Sequence, residues 1–102
     1  MPKLFEWLGL AFFFYSEEHE PIHVHVVIAD RETIFELIID NGVVKEIRKR
    51  SNGGRAMLTN TEEKQAFKLI RKYKYGIIER WVKYFVWNKP IRSKKITSKT
   101  LP

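Results

Sequence analysis

The sequence contains no cysteine and no long apolar run. Without thiols there is no disulfide scaffold, no thiolate metal site and no cysteine nucleophile. The longest purely apolar stretch, Leu10 to Phe14, is far shorter than the roughly 20 residues that span a bilayer. No basic-then-apolar leader opens the chain, which sets the expectation of a cytoplasmic protein with no membrane attachment. Acids are scarce over most of the length. Residues 41–102 carry four against seventeen Lys and Arg, whereas residues 1–40 carry eight against two. The overall +7 is therefore a −6 segment joined to a +13 segment. Such asymmetry points to a polyanion partner, an anionic surface, or two regions that neutralise one another within the fold or across a dimer.

What is present is enough for one domain: 102 residues, 44% hydrophobic, 30% charged and 14% aromatic, with a modest core. Phe5 to Ser16 is aromatic-rich and reads as a buried strand. Glu17 to Pro21 punctuates it as a turn or loop, since Pro21 lacks the N–H of a central strand. Ile22 to Ala29 and Thr33 to Ile39 are β-branched runs, and Asp40-Asn41-Gly42 is a hairpin turn signal before an edge strand from Val43 to Ile47. Ser51-Asn52-Gly53-Gly54 lies in a basic loop predicted to be mobile. Thr59 with Glu62, or Asn60 with Glu63, has capping-box spacing. From there Phe67, Ile70, Ile77, Trp81, Tyr84 and Phe85 draw one apolar helical face, with Gly76 expected to kink it or split it into two shorter helices and Asn88-Lys89-Pro90 as the stop.

The predicted fold is α+β: a small antiparallel sheet of three or four strands, followed by a C-terminal helix packed on one face. Residues 1–90 form the single domain and 91–102 a basic tail, extended or disordered. The opposite sheet face, with His23, His25 and Tyr15, is expected to be open to solvent or a partner.

The most distinctive stretch is Phe13-Phe14-Tyr15-Ser16-Glu17-Glu18-His19-Glu20-Pro21-Ile22-His23-Val24-His25-Val26. It resembles a family of small bacterial proteins classed as a domain of unknown function, whose signature is an aromatic strand followed by E/D-H-x-P-P-H-F/V-H-V. Ile77 with Trp81, then Lys94-Lys95-Ile96, match that family's I-x-x-x-W helix and lysine-rich end. Ile22 departs from the second proline, and the glycine-rich loop at 51–55 is longer than usual for the family. The resemblance implies a member of a two-gene, toxin–antitoxin-like module and brings no established activity.

Three readings of the histidines stand beside one another. In a strand His23 and His25 lie about 6.5–7 Å apart on one face, and His19 can fold over them. The three imidazoles then suit a divalent transition metal such as zinc with an open position, the one cofactor the residues suggest. Alternatively His19, His23 and His25, with Tyr15 and Glu18 assisting, suit metal-free acid–base cleavage of RNA, because imidazole titrates near neutrality. The third reading is structural: the histidines hydrogen-bond loop acids and backbone and fix the turn around Pro21.

The basic half offers a binding surface. Arg48, Lys49, Arg50 and Arg55 from the loop region, Lys64, Lys68, Arg71 and Lys72 from the helix, and Lys94 and Lys95 from the tail are candidate contacts for RNA or DNA. Tyr73, Tyr75 and Trp87 are candidate stacking platforms for unpaired bases. The competing readings are a solvated helix face, a small acidic cognate protein covering the helix, and a homodimer joining acidic and basic ends.

Overall fold

The first aromatic run is not one strand but two. The computed structural model describes residues 2–15 and 21–101, and in it β1 (Lys3–Trp7) and β2 (Leu10–Phe13) form a hairpin. Leu8 and Gly9 both take positive φ, 53° and 80°, the two-residue turn whose twist matches that of the flanking strands. Gly9 makes this turn accessible, because a left-handed conformation costs a residue without a Cβ little. The hairpin continues into β3 (His23–Ile28), β4 (Arg31–Asp40) and β5 (Val43–Ser51), all antiparallel. The expected Asn41-Gly42 turn joins the last two, with φ of 51° and 76°.

The expected sheet of three or four antiparallel strands is therefore corrected to six strands, mixed in direction, in the order β5-β4-β3-β2-β1-β6. The sixth strand, β6 (Lys94–Ile96), comes from the basic tail and pairs parallel to β1. Trp7 Nε1 donates to Ser98 O at 2.8 Å, and Arg80 donates to Leu4 O at 2.9 Å and to Arg92 O. These bonds tie the tail to β1 and to the helix.

Between β5 and β6 runs α1 (Asn60–Trp81), followed by a wider π-helical turn, Val82–Val86. The Thr59–Glu62 capping box is present in both directions, satisfying donors that the first helical turn leaves unpaired. The kink expected at Gly76 is corrected to Tyr73, the residue with non-helical dihedrals (φ −106°, ψ 18°). Tyr73 stacks on Phe5 with ring centroids 5.1 Å apart, so the helix breaks where it meets the outer part of the sheet.

One sheet face and α1 enclose the core, with Phe5, Phe12, Val24, Val26, Phe35 and Leu37 against Ala66, Leu69, Ile70, Ile77 and Trp81. Phe67, expected in that apolar stripe, is instead 39% exposed. Ala66 and Leu69 take the inward positions beside it. Among the described residues no helix is long and apolar enough to cross a membrane.

Candidate functional site

Two acids organise the charged side chains, one on each face of the sheet. On the face away from the body of α1, Glu32 is fully buried and collects the groups around it. The tight β3–β4 hairpin pairs His25 with Ile34 and Val27 with Glu32. Glu32 is thus diagonal to His25 on the same face, within reach of a long side chain. His25 Nδ1 lies 2.7 Å from Glu32 Oε2, and Tyr15 donates its hydroxyl to Oε1 at 2.8 Å. Arg55 donates to the same Oε1 at 3.1 Å, and Asn52 supplies a further side-chain hydrogen bond. Burial pushes the Glu32 carboxyl up, but the hydrogen bonds from His25, Tyr15 and Asn52 outweigh it and hold the group below the ordinary carboxylate range. The ionised carboxylate accepts, so His25 carries a proton on Nδ1.

Around this centre the rings are closely packed. Tyr15 lies parallel over His25 with centroids 3.6 Å apart, and His23 is 5.2 Å from His25 and 5.4 Å from Trp81. His23 Nδ1 donates to Pro21 O at 2.7 Å, because a carbonyl can only accept. The expectation of an open histidine face is corrected: His23 is 4% and His25 5% exposed. A partnered, buried cluster forms where the diagonal acid and the loop after β5 converge on the strand. Sequence reasoning placed Tyr15, His23 and His25 together and missed Glu32 and Asn52. An acid sharing the alternation parity of Ile34 in a β-rich run was the available signal for Glu32. Glu18 and His19 lie outside the described residues, so the three-histidine metal reading has two described members. Among the described residues no group of three or more His, Asp or Glu is arranged to hold a metal.

On the helix-covered face Glu63, also buried, receives Lys49 Nζ at 2.8 Å and Thr33 Oγ1 at 3.3 Å. Next to it Arg31 grips Glu62 with two nitrogens, at 3.0 and 2.6 Å. That fork and the Thr59 backbone N–H bring Glu62 down to about 2.

The candidate nucleic-acid cations separate into three sets. Those of β5 and its loop are paired with carboxylates: Arg48 with Glu46 at 2.8 Å, Lys49 with Glu63 at 2.8 Å, Arg50 with Glu36 at 2.9 Å, and Arg55 with Glu32 at 3.1 Å. Lys64, Lys68, Arg71 and Lys72 are all exposed on α1, and no described carboxylate forms an ion pair with them. Lys64, Lys68 and Arg71 line an open groove of about 510 Å³ with Lys49, over a floor that includes Phe35, Ile47 and Phe67. Lys94 and Lys95 are exposed on β6, at the far edge of the sheet; the Glu6 carboxyl is held below its ordinary range mainly by its hydrogen bond from Lys3, with Lys95 a smaller contributor. Of the candidate stacking rings, Tyr75 is 50% and Trp87 60% exposed, whereas Tyr73 is committed to Phe5.

A family model described as a domain of unknown function, DUF4160, matches residues 9–82. The match spans β2 to the end of α1 and includes both acid-centred clusters and the groove. No curated protein and no solved structure matches the chain.

Proposed function

The chain belongs to this family of unknown function, and we propose that it binds single-stranded nucleic acid along the exposed ridge of α1, as one member of a toxin–antitoxin-like pair acting in the cytoplasm. The observation that carries the reading is the row Lys64, Lys68, Arg71 and Lys72, which no described carboxylate pairs, while the four candidate cations of β5 and its loop are paired. Positions four apart on a helix rise by about 6 Å, a spacing comparable to successive phosphates on an extended strand. Phe67 and Tyr75, exposed along the same stretch, offer faces for unpaired bases. The paired module itself rests on the family resemblance of the histidine stretch.

Fluorescence anisotropy with a labelled oligouridylate tests this. Binding is expected at about 50 mM salt and is expected to fall steeply by about 200 mM, because each neutralised phosphate releases counterions. Changing Lys64, Lys68, Arg71 and Lys72 together to Ala should abolish most of it. No binding at low salt, or equal binding by the variant, overturns the reading.

A second reading, acid–base cleavage of RNA at His23 and His25 with Tyr15, is favoured by one observation: the His25–Glu32 pair has the geometry of an imidazole oriented by a carboxylate, with the Arg55 cation on the same oxygen that Tyr15 contacts. Loss of RNA cleavage in His23→Ala, with melting temperature retained, supports it. Intact RNA after incubation with the unaltered protein removes it.

A further inference from the structure

The helix ridge is only one side of the groove; the other is the outer edge of the sheet. β5 runs for nine residues, Val43 to Ser51, and pairs only with β4 among the described residues. A long edge strand exposes a row of unpaired N–H and C=O groups, which natural proteins blunt with charge, bulges or a cover. The opposite edge is held by the three-residue β6, too short to template much. On β5 the cations are paired: Lys45 with Asp40, Arg48 with Glu46, Lys49 with Glu63 and Arg50 with Glu36. The surplus charge beside the edge is that of α1, whose exposed Lys64, Lys68 and Arg71 meet no described carboxylate. That surplus favours a strand of negative charge over a second copy, which would bring the same cations toward one another.

The surroundings match such a strand. Beside the edge lies the groove with Phe35, Ile47 and Phe67 in its apolar lining and Lys49, Lys64, Lys68 and Arg71 around it, with Glu63 its single acid. Glu63 is already engaged by Lys49 and Thr33. Side chains of an added strand alternate between faces, so every second residue would turn toward α1. Apolar residues there meet Ile47 and Phe67, and carboxylates reach the helix cations. We propose that β5 is a docking edge for an acidic extended segment of another protein, one that carries both carboxylate and apolar residues at the alternate positions turned toward α1 and adds as a seventh strand. This does not depend on nucleic-acid binding, although both ligands would use Lys64 and Lys68 and would therefore compete.

The test uses the full chain and a peptide of about ten residues whose every second position is alternately valine and glutamate, with threonine between them, followed by backbone NMR and amide hydrogen exchange. Exchange is expected to slow about tenfold or more at outward-facing amides of β5, with affinity that weakens as salt is raised. The same peptide with lysine for glutamate should not bind, and a central proline should remove the protection by deleting a ladder donor. Lys64→Glu with Lys68→Glu, two exposed changes that leave the core untouched, should lower affinity about tenfold. The proposal is overturned if β5 amides are not protected, if the lysine peptide binds as well, if the double variant binds equally, or if protection falls on β6 instead. Protection of β5 amides by oligouridylate and not by the peptide also overturns it. Peptide pairing without any RNA affinity would sustain this proposal while removing the nucleic-acid reading.

Discussion

The cations of β5 and its loop and the cations of α1 come from the same basic half of the chain, yet the fold uses them differently. Arg50 and Arg55 reach across to Glu36 and Glu32 of the acidic half, Lys49 is held by Glu63, and Arg48 pairs along its own strand. Lys64, Lys68, Arg71 and Lys72 meet no described carboxylate. Net charge along a sequence therefore overstates what a surface offers to a partner. Part of it is consumed in joining strands, and the part on the solvent side of the helix remains for binding.

The largest expected effect tests the paired set. Glu32→Ala removes the carboxylate that receives Tyr15, His25, Asn52 and Arg55, and should cost about 3–5 kcal/mol, read as a lower urea midpoint. Glu46→Ala, which frees Arg48 at the surface, should cost less than about 0.5 kcal/mol. Equal costs would break the distinction between a buried hub and a rim pair. The next effect tests the unpaired set by salt dependence. Replacing Lys64, Lys68, Arg71 and Lys72 by Ala should reduce the slope of log affinity against log salt by up to about 3, at about 0.7 per single-strand phosphate. Arg48→Ala with Arg50→Ala should change it by less than about 1 on the same scale. A reversed order would place binding on β5.

A smaller effect concerns pH. Glu62 is lowered from 4.5 to about 2 by Arg31 and Thr59, so its contribution to stability is full above the unfolded value of 4.5 and is lost as pH falls toward about 2. Melting temperature followed over that window should fall less steeply in Glu62→Gln than in the unaltered chain. Glu32, also lowered, acts with the same sign, so the variant isolates the Glu62 share. The smallest effect is a gain. Gly76 sits in α1 with nothing within 4 Å of the point an alanine methyl would occupy, so Gly76→Ala should stabilise by about 0.5–1 kcal/mol. The salt slope of RNA binding should be unchanged by it, since no cation moves.

Local signals were legible where they depend on a few adjacent residues. The Thr59–Glu62 capping box, the Asn41-Gly42 turn and the stop near Asn88 all follow from short-range chemistry; Asn88 indeed adopts a positive φ of 53°. The Leu8-Gly9 turn was obscured because it lies within an aromatic run whose composition suits a strand throughout. The kink was assigned to Gly76 on propensity, whereas the contact of Tyr73 with Phe5 decided its position. The open histidine face failed for a similar reason. Alternation placed His23 and His25 together correctly, but not the partners each finds: Glu32, with Asn52 and Arg55 on it, for His25, and Pro21 O and Trp81 for His23.

By itself the sequence determined the classes of element, the opposed charges of the two halves and the grouping of Tyr15, His23 and His25, because these follow from backbone preferences, side-chain alternation and composition. Tertiary structure decided the rest. Six strands instead of three or four, the buried carboxylate beside the histidines, and the division of the cations into paired and unpaired sets rest largely on contacts across the fold, such as β6 with β1, Tyr15 with Glu32 and Lys49 with Glu63. Those contacts form only when desolvation in a packed interior makes each hydrogen-bonding group find a partner.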